Sequence, residues 1–226
     1  MTATAWLMIL IPFSYLMGSI PFGLIVGLAK GVDPRKAGSG NIGATNLGRL
    51  LGGKFFAIVF ALDLLKGAIP TLLAGAILRF SAVNRTDCLL WILIGFAAIL
   101  GHMFSLFLKF KGGKGVATSA GVVVGIFPFL TGPALIGIGV FIAVFLATRY
   151  VSLGSIIASI SFPISYVALA IIFGWPVLGA QLPLLVFAIL IPAMIIVKHR
   201  ANIARLRAGT ENRFVKKKPV DTLGPV

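Results

Sequence analysis

At 226 residues, 59% hydrophobic, 11% charged and with a net charge of +15, the chain does not have the composition of a soluble domain, which carries roughly 25% charge and about 45–50% apolar residues. The basic excess lies in short clusters between apolar runs. That points to a polytopic membrane protein and away from nucleic-acid binders, whose basic patches sit on soluble folds. A single cysteine, Cys88, excludes an intrachain disulfide and any zinc-binding Cys spacing.

A helix needs about 20 apolar residues to cross a hydrocarbon core. Ala5–Leu28 meets this without a charge, and the first Lys is Lys30. With no basic segment ahead of it, this run reads as a retained span and not a cleaved signal. A polar loop follows, Gly38-Ser-Gly-Asn-Ile-Gly-Ala-Thr-Asn46. A flexible loop needs Gly and Asn, but not nine consecutive small or polar residues with one Ile. Gly38, Gly40 and Gly43 let backbone N–H groups converge on an anion, Ser39, Asn41, Thr45 and Asn46 add neutral donors, and Arg49 adds a fork that matches phosphate. The glycines also satisfy G-x-G-x-x-G, but a dinucleotide site requires a preceding strand, and here a membrane helix precedes.

Phe55–Leu78 is the next predicted span, interrupted by Asp63 and Lys66, whose i, i+3 spacing predicts a mutual ion pair. Cys88–Leu108 follows, with His102 inside it, and an ionisable residue there is a functional candidate or an interhelical hydrogen-bonding group. The second polar segment ends in Lys109-Phe-Lys-Gly-Gly-Lys114. It is no Walker loop, since Leu108 replaces the first Gly and Gly115 replaces Ser/Thr. Lys109 reads as a positive-inside anchor. Lys111 and Lys114, flanking glycines, read as phosphate ligands.

Gly115–Thr148 contains 34 residues without a charge. As one helix it would be about 51 Å long against a core of about 30 Å, so it predicts two short spans (about 117–131 and 133–148), broken near Pro128 or Thr131-Gly-Pro133. Leu153–Gly174 and Pro176–Val197 complete the set. The third polar segment is His199-Arg-Ala-Asn-Ile-Ala-Arg-Leu-Arg207, in which His199 and Asn202 would share a helical face. Glu211, one of five acids, predicts an ion pair. Basic residues stay cytoplasmic, and only an odd number of crossings brings 17 of the 20 Lys and Arg to one side. The expected architecture is therefore an all-α membrane protein of seven transmembrane helices, N-terminus outside and C-terminus cytoplasmic. Residues 1–213 form one domain and 214–226 a basic, disordered tail attracted to anionic lipid.

These segments carry a resemblance. Gly38–Arg49, Phe110–Thr118 and His199–Leu206, with Arg149-Tyr-Val-Ser-Leu-Gly-Ser155 and Asp63-Leu-Leu-Lys-Gly67 between them, resemble the signature loops of the bacterial integral-membrane acyl-phosphate:glycerol-3-phosphate acyltransferases over the chain up to Arg213. One departure is Ser105, where that family has Pro, which should alter a helix end. The resemblance implies a cytoplasmic active site in the bacterial inner membrane. The reaction it implies is transfer of a fatty acyl group from acyl phosphate to glycerol 3-phosphate, giving lysophosphatidic acid and phosphate, the first acylation of phospholipid biosynthesis. Ser39, Lys114 and His199 are then the catalytic candidates. Gly40, Asn41, Thr45, Asn46, Arg49, Lys111, Ser155 and Asn202 are the phosphate-binding candidates. Neither His102 nor His199 has an Asp five residues on, so the His–Asp dyad of other glycerolipid acyltransferases is not expected.

The residues fit this chemistry on their own terms. A cationic, Gly-lined site holds two phosphates together, and an activated acyl phosphate needs oxyanion and leaving-group stabilisation more than a covalent intermediate. No cofactor is expected, nor a metal, since two His and five scattered acids make no ligand set. The expected partners are the two substrates and membrane lipids, not nucleic acid; transient docking of a soluble acyl-phosphate-producing enzyme on the basic face is left open. The competing class is an organic-phosphate transporter, but a carrier places its site near the bilayer midplane, whereas these motifs all fall on one side.

Overall fold

The computed structural model describes residues 2–80 and 84–214. Among these, every regular element is helical: α1 (Ala3–Ser19), α2 (Phe22–Leu28), α3 (Ala44–Leu51), α4 (Gly53–Ile77), α5 (Arg85–Met103), α6 (Val116–Gly125), α7 (Thr131–Thr148), α8 (Val151–Phe173), α9 (Leu182–Lys198) and α10 (Arg200–Arg207). Caps fix several starts. Thr2 accepts from the Ala5 N–H before α1, and Asn84 accepts from the Asp87 N–H before α5.

Five stretches are long and apolar enough to cross a bilayer: Ala3–Leu28, Gly53–Ile77, Arg85–Leu108, Thr131–Thr148 and Val151–Phe173. A sixth results if α9 and α10, bent by 60° at His199, count as one span. The predicted split of Gly115–Thr148 occurs at the first of its two expected points: the break covers residues 126–130, around Pro128, and α7 already begins at Thr131. Pro128 lies in this break, where its missing N–H costs no helical bond. The consequence is a short α6. Its 10 residues reach only about 15 Å, half of a hydrocarbon core.

Helices lie close where small residues face backbone. A Cβ on Gly101 would fall 2.3 Å from the Tyr15 carbonyl oxygen and one on Gly18 2.2 Å from that of Ala98, so α1 and α5 approach as closely as backbones allow. The small residues of α6 do the same against α4: a Cβ on Gly121 would lie 1.9 Å from the Leu64 carbonyl oxygen. Buried Trp91, Tyr166, Phe187 and Leu184 fill the interior of α5, α8 and α9. Outward positions are equally apolar, with Ile164, Ile171, Ile172 and Phe173 all more than 60% exposed. A solvent of hydrocarbon, not water, accounts for that surface.

α5 ends at Met103, two residues before the position noted for its missing Pro. There the Ser105 hydroxyl donates to the Ser19 carbonyl, fastening the turn to the end of α1. Phe214, expected to begin the tail, is docked, with its ring edge-on to both Phe56 and Phe145 at 5.6 and 5.9 Å between centroids. The rest of that tail lies outside the described residues.

Candidate active site

The three polar segments meet at one end of the bundle. α4, α6 and α8 begin there, and α5, α7 and α9 end there. They form an open cavity lined by Ser39, Asn41, Thr45, Asn46, Arg49, Asp63, His102, Lys114, Ser152, Ser155, His199, Asn202 and Glu211, with Gly43 and Ala44 at the start of α3. Gly43 caps α3 without a side-chain hydrogen bond, which leaves its first turn free to receive an anion. Through Phe60, Val116, Phe141 and Ser155 the cavity adjoins an almost wholly apolar groove between α4, α6, α7, α8 and α9.

The first loop is built around Asn46. Its amide nitrogen donates to the carbonyls of Pro34, Ala37 and Asn41, and its oxygen accepts from the Ser39 N–H, at 2.9–3.0 Å. Both ends of the amide are thus committed to shaping the loop, so Asn46 reaches substrate only through the loop it holds, a different part from the phosphate contact expected of it. The Asn41 side chain accepts from the Gly43 N–H at 2.9 Å. Ser39 is exposed at the rim. Gly40, also exposed at φ +69°, supplies the turn and does not line the cavity. Arg49 donates to the Asn212 carbonyl at 2.8 Å, while its buried Nε has no partner. A buried, unpaired guanidinium nitrogen at a cavity wall is a donor held ready for an acceptor. Burial draws the Arg49 pKa down, opposed by the Glu211 carboxylate.

In the second segment Lys111 is exposed and away from the cavity, contrary to its expected role, whereas Lys114 enters it. The separation is set by backbone: the turn reverses at Gly112 and Gly113, whose N–H groups donate to the Met103 and His102 carbonyls. Lys114 donates to Asn202 Oδ1. Asn202 in turn donates to Glu211 Oε1 at 2.7 Å, which also accepts from Ser152 at 2.8 Å, and Glu211 Oε2 pairs with Arg205 at 2.7 Å. Glu211 thus has the predicted ion pair and also ties α8 to α10. Burial pushes its carboxyl up, but the hydrogen bonds from Asn202, Ser152 and Arg205 outweigh that and hold it below its ordinary value. Burial draws the Lys114 pKa down to about 8, with Glu211 opposing and Arg205 and Arg49 assisting.

His199 stands at the kink past the end of α9, as the residue that precedes α10, and lines the cavity together with Asn202. Its Nδ1 lies 2.8 Å from the Ile195 carbonyl oxygen. A carbonyl only accepts, so Nδ1 carries the proton and Nε2 presents a lone pair. The backbone carbonyl orients the ring in place of the carboxylate that the sequence lacked. Burial first, then the Lys114 charge, draws the His199 pKa down to about 4. Ser155 donates to the Val151 carbonyl of its own helix. Of the lining residues, Ser152 enters the sequence reading only as part of the Arg149–Ser155 motif, and Asp63 only through its ion pair and the Asp63–Gly67 motif, neither with a place in the site; His102 is marked by its position inside a span.

Among the described residues no three His, Cys, Asp or Glu side chains converge as metal ligands would. The arrangement is one of anion-binding donors at the mouth of an apolar groove. A family model for glycerol-3-phosphate acyltransferase matches residues 8–209. The glycerol-3-phosphate acyltransferase of Aquifex aeolicus is 47% identical over 208 residues, covering 91% of this chain and 97% of its own length, and that of Geobacter sulfurreducens is 44% identical, covering 92% and 97%. Two crystal structures of PlsY, an integral membrane glycerol 3-phosphate acyltransferase, superpose at 44% identity. Its glycerol 3-phosphate form gives a TM-score of 0.79 over 92% of this chain and 96% of that one, and its lysophosphatidic acid form 0.76 over 92% and 94%. The chain therefore belongs to the glycerol-3-phosphate acyltransferase family.

Proposed function

We propose that the protein transfers a fatty acyl group from acyl phosphate to glycerol 3-phosphate, releasing lysophosphatidic acid and inorganic phosphate. The observation that carries this is the junction of the cationic cavity with the apolar groove: one site receives two phosphates, and the groove receives an acyl chain. Arg49, Lys114 and the first turn of α3 hold the phosphates. The hydroxyl oxygen of glycerol 3-phosphate attacks the acyl carbonyl carbon, the acyl carbon–phosphate oxygen bond breaks, and the electron pair leaves with phosphate. Fixed donors stabilise both developing charges without reorganising.

The hydroxyl proton goes to a base. His199 Nε2 has the lone pair, but a pKa of about 4 makes it a weak acceptor. A substrate phosphate is the stronger base, since glycerol 3-phosphate is a phosphate monoester with a second pKa of about 6. We assign the proton to a substrate phosphate oxygen, with His199 Nε2 accepting from a substrate hydroxyl and so orienting it. Seven helices, α1, α4, α5, α6, α7, α8 and α9, are embedded in the membrane, with α6 short. The N-terminus faces outward, and the cavity opens to the cytoplasm of a bacterial inner membrane. The clustering of all three motif loops at one end of the bundle supports this orientation.

Purified protein in detergent, given acyl phosphate and glycerol 3-phosphate, should form lysophosphatidic acid without added metal or nucleotide. Turnover in a single compartment excludes a pure carrier. Comparable rates with acyl-coenzyme A as sole donor, or loss of activity on adding a chelator, would overturn the proposed donor chemistry.

A further inference from the structure

We infer that Asp63, Lys66 and His102, buried together between α4 and α5, form a positioning unit that seats the Gly112-Gly113-Lys114 turn and thereby holds the Lys114 ammonium in the cavity. The inference rests on Lys114 contacting substrate phosphate in the reaction proposed above.

The unit is anchored at one end by an ion pair, Lys66 Nζ to Asp63 Oδ1 at 2.8 Å, with both residues no more than 3% exposed. Lys66 is fixed further by donating to the Ile20 carbonyl at 2.8 Å and by lying over the Phe22 ring. The same Asp63 oxygen stands 3.6 Å from His102 Nδ1, a nitrogen with no hydrogen-bond partner of its own. On its other side the imidazole abuts the turn: a Cβ on Gly113 would fall 2.2 Å from His102 Nε2. The His102 carbonyl accepts from the Gly113 N–H at 3.0 Å, and the Met103 carbonyl accepts from the Gly112 N–H at 3.2 Å. The ring is therefore held between a carboxylate and a glycine that admits no side chain, and Lys114 is the next residue.

Stability alone does not account for three ionisable groups here. Ionisable side chains at membrane depth are costly, and a buried ion pair can often be replaced by apolar residues without loss. What an apolar trio would not supply is a ring set at a fixed height against the turn, tied through Asp63 and Lys66 to the end of α1. Asp63 and His102 also line the cavity wall beside Lys114, so any slack in them passes to the ammonium. A misplacement of about 1 Å at a reacting group can lower a rate on the order of a hundredfold.

A double-mutant cycle tests this. His102→Ala should lower kcat/KM by about tenfold to a hundredfold. In a Lys114→Met background the same change should cost less than about twofold, because a unit that acts through Lys114 has nothing left to position. Equal losses in both backgrounds, or no loss from His102→Ala alone, would overturn the inference while leaving the proposed reaction intact. Full activity of Lys114→Met would instead remove the phosphate contact on which the inference stands, and both would fall. Monodisperse elution and Tm in detergent establish that each variant is folded. Should His102→Ala not accumulate, Asp63→Asn keeps the side-chain volume, removes the anchoring charge and runs the same cycle to the same decision.

Discussion

Among the described residues, Lys114 and Arg49 are the two Lys or Arg side chains that line the cavity. Each is drawn down by burial and each faces the cavity, whereas Lys111, three residues from Lys114, is exposed. Charged donors in a poorly hydrated site make hydrogen bonds roughly twice as strong as neutral ones, so Lys114→Ala and Arg49→Ala should each lower kcat/KM at least about a hundredfold. Lys111→Ala should change it little in the same assay. The sign of the pH dependence follows from Lys114 at about 8. The protonated form binds phosphate, so kcat/KM should fall as pH rises through about 8, and Lys114→Arg, which stays charged beyond about pH 12, should carry the remaining activity past that limb. An alkaline limb unmoved in Lys114→Arg would assign the titration elsewhere. His199, neutral above a pKa of about 4, separates two roles. If the substrate phosphate takes the proton, as proposed, His199→Ala keeps its acidic limb and loses mainly binding. Were His199 the base, the limb would vanish with a loss on the order of 10²–10⁴.

The helices supply rigidity through close approach. Gly121 of α6 lies where a Cβ would stand 1.9 Å from the Leu64 carbonyl of α4. Gly121→Leu must push the two helices apart and should lower stability by about 1–3 kcal/mol, read as a drop in Tm in detergent. Activity should fall with it, since Lys114 lies just ahead of α6 and α4 carries Asp63. An unchanged Tm would mean that α6 does not pack on α4 as described. The break at residues 126–130 matters for the same reason. It keeps α6 short, so the cavity end of α6 is set by its contacts with α4 and α5 and not by spanning the core.

For the whole molecule, charge and topology make one argument. The motif loops share an end of the bundle, and 17 of 20 Lys and Arg fall on the same predicted side. A cysteine placed in the Lys109–Lys114 loop should resist an impermeant thiol reagent in intact cells and react after permeabilisation. One placed at Arg85 should react in intact cells. The opposite pattern would invert the proposed orientation.

The sequence by itself determined the membrane class, the three polar segments, the pairing of Asp63 with Lys66, and the break within residues 115–148. Each of these depends on local composition or on spacing along one helix: a long apolar run has one use, clustered Gly and Asn admit the positive φ and close backbone approach of a polar loop, and i, i+3 residues meet on any helix. Tertiary structure alone decided the rest. Asn46 and Lys111 look like ligands from composition, but hydrogen bonding turns the first inward to shape its loop and the direction of a glycine turn puts the second in solvent. Ser152 and Glu211 carry no local mark that places them in a cavity, and His102 only its position inside a span. They reach the cavity because α4, α5, α8 and the segment after α10 converge there, and contacts between residues 59 and 88 positions apart, such as Ser152 with Glu211 and Lys114 with Asn202, are fixed by how the helices pack. No periodicity along the chain encodes that packing.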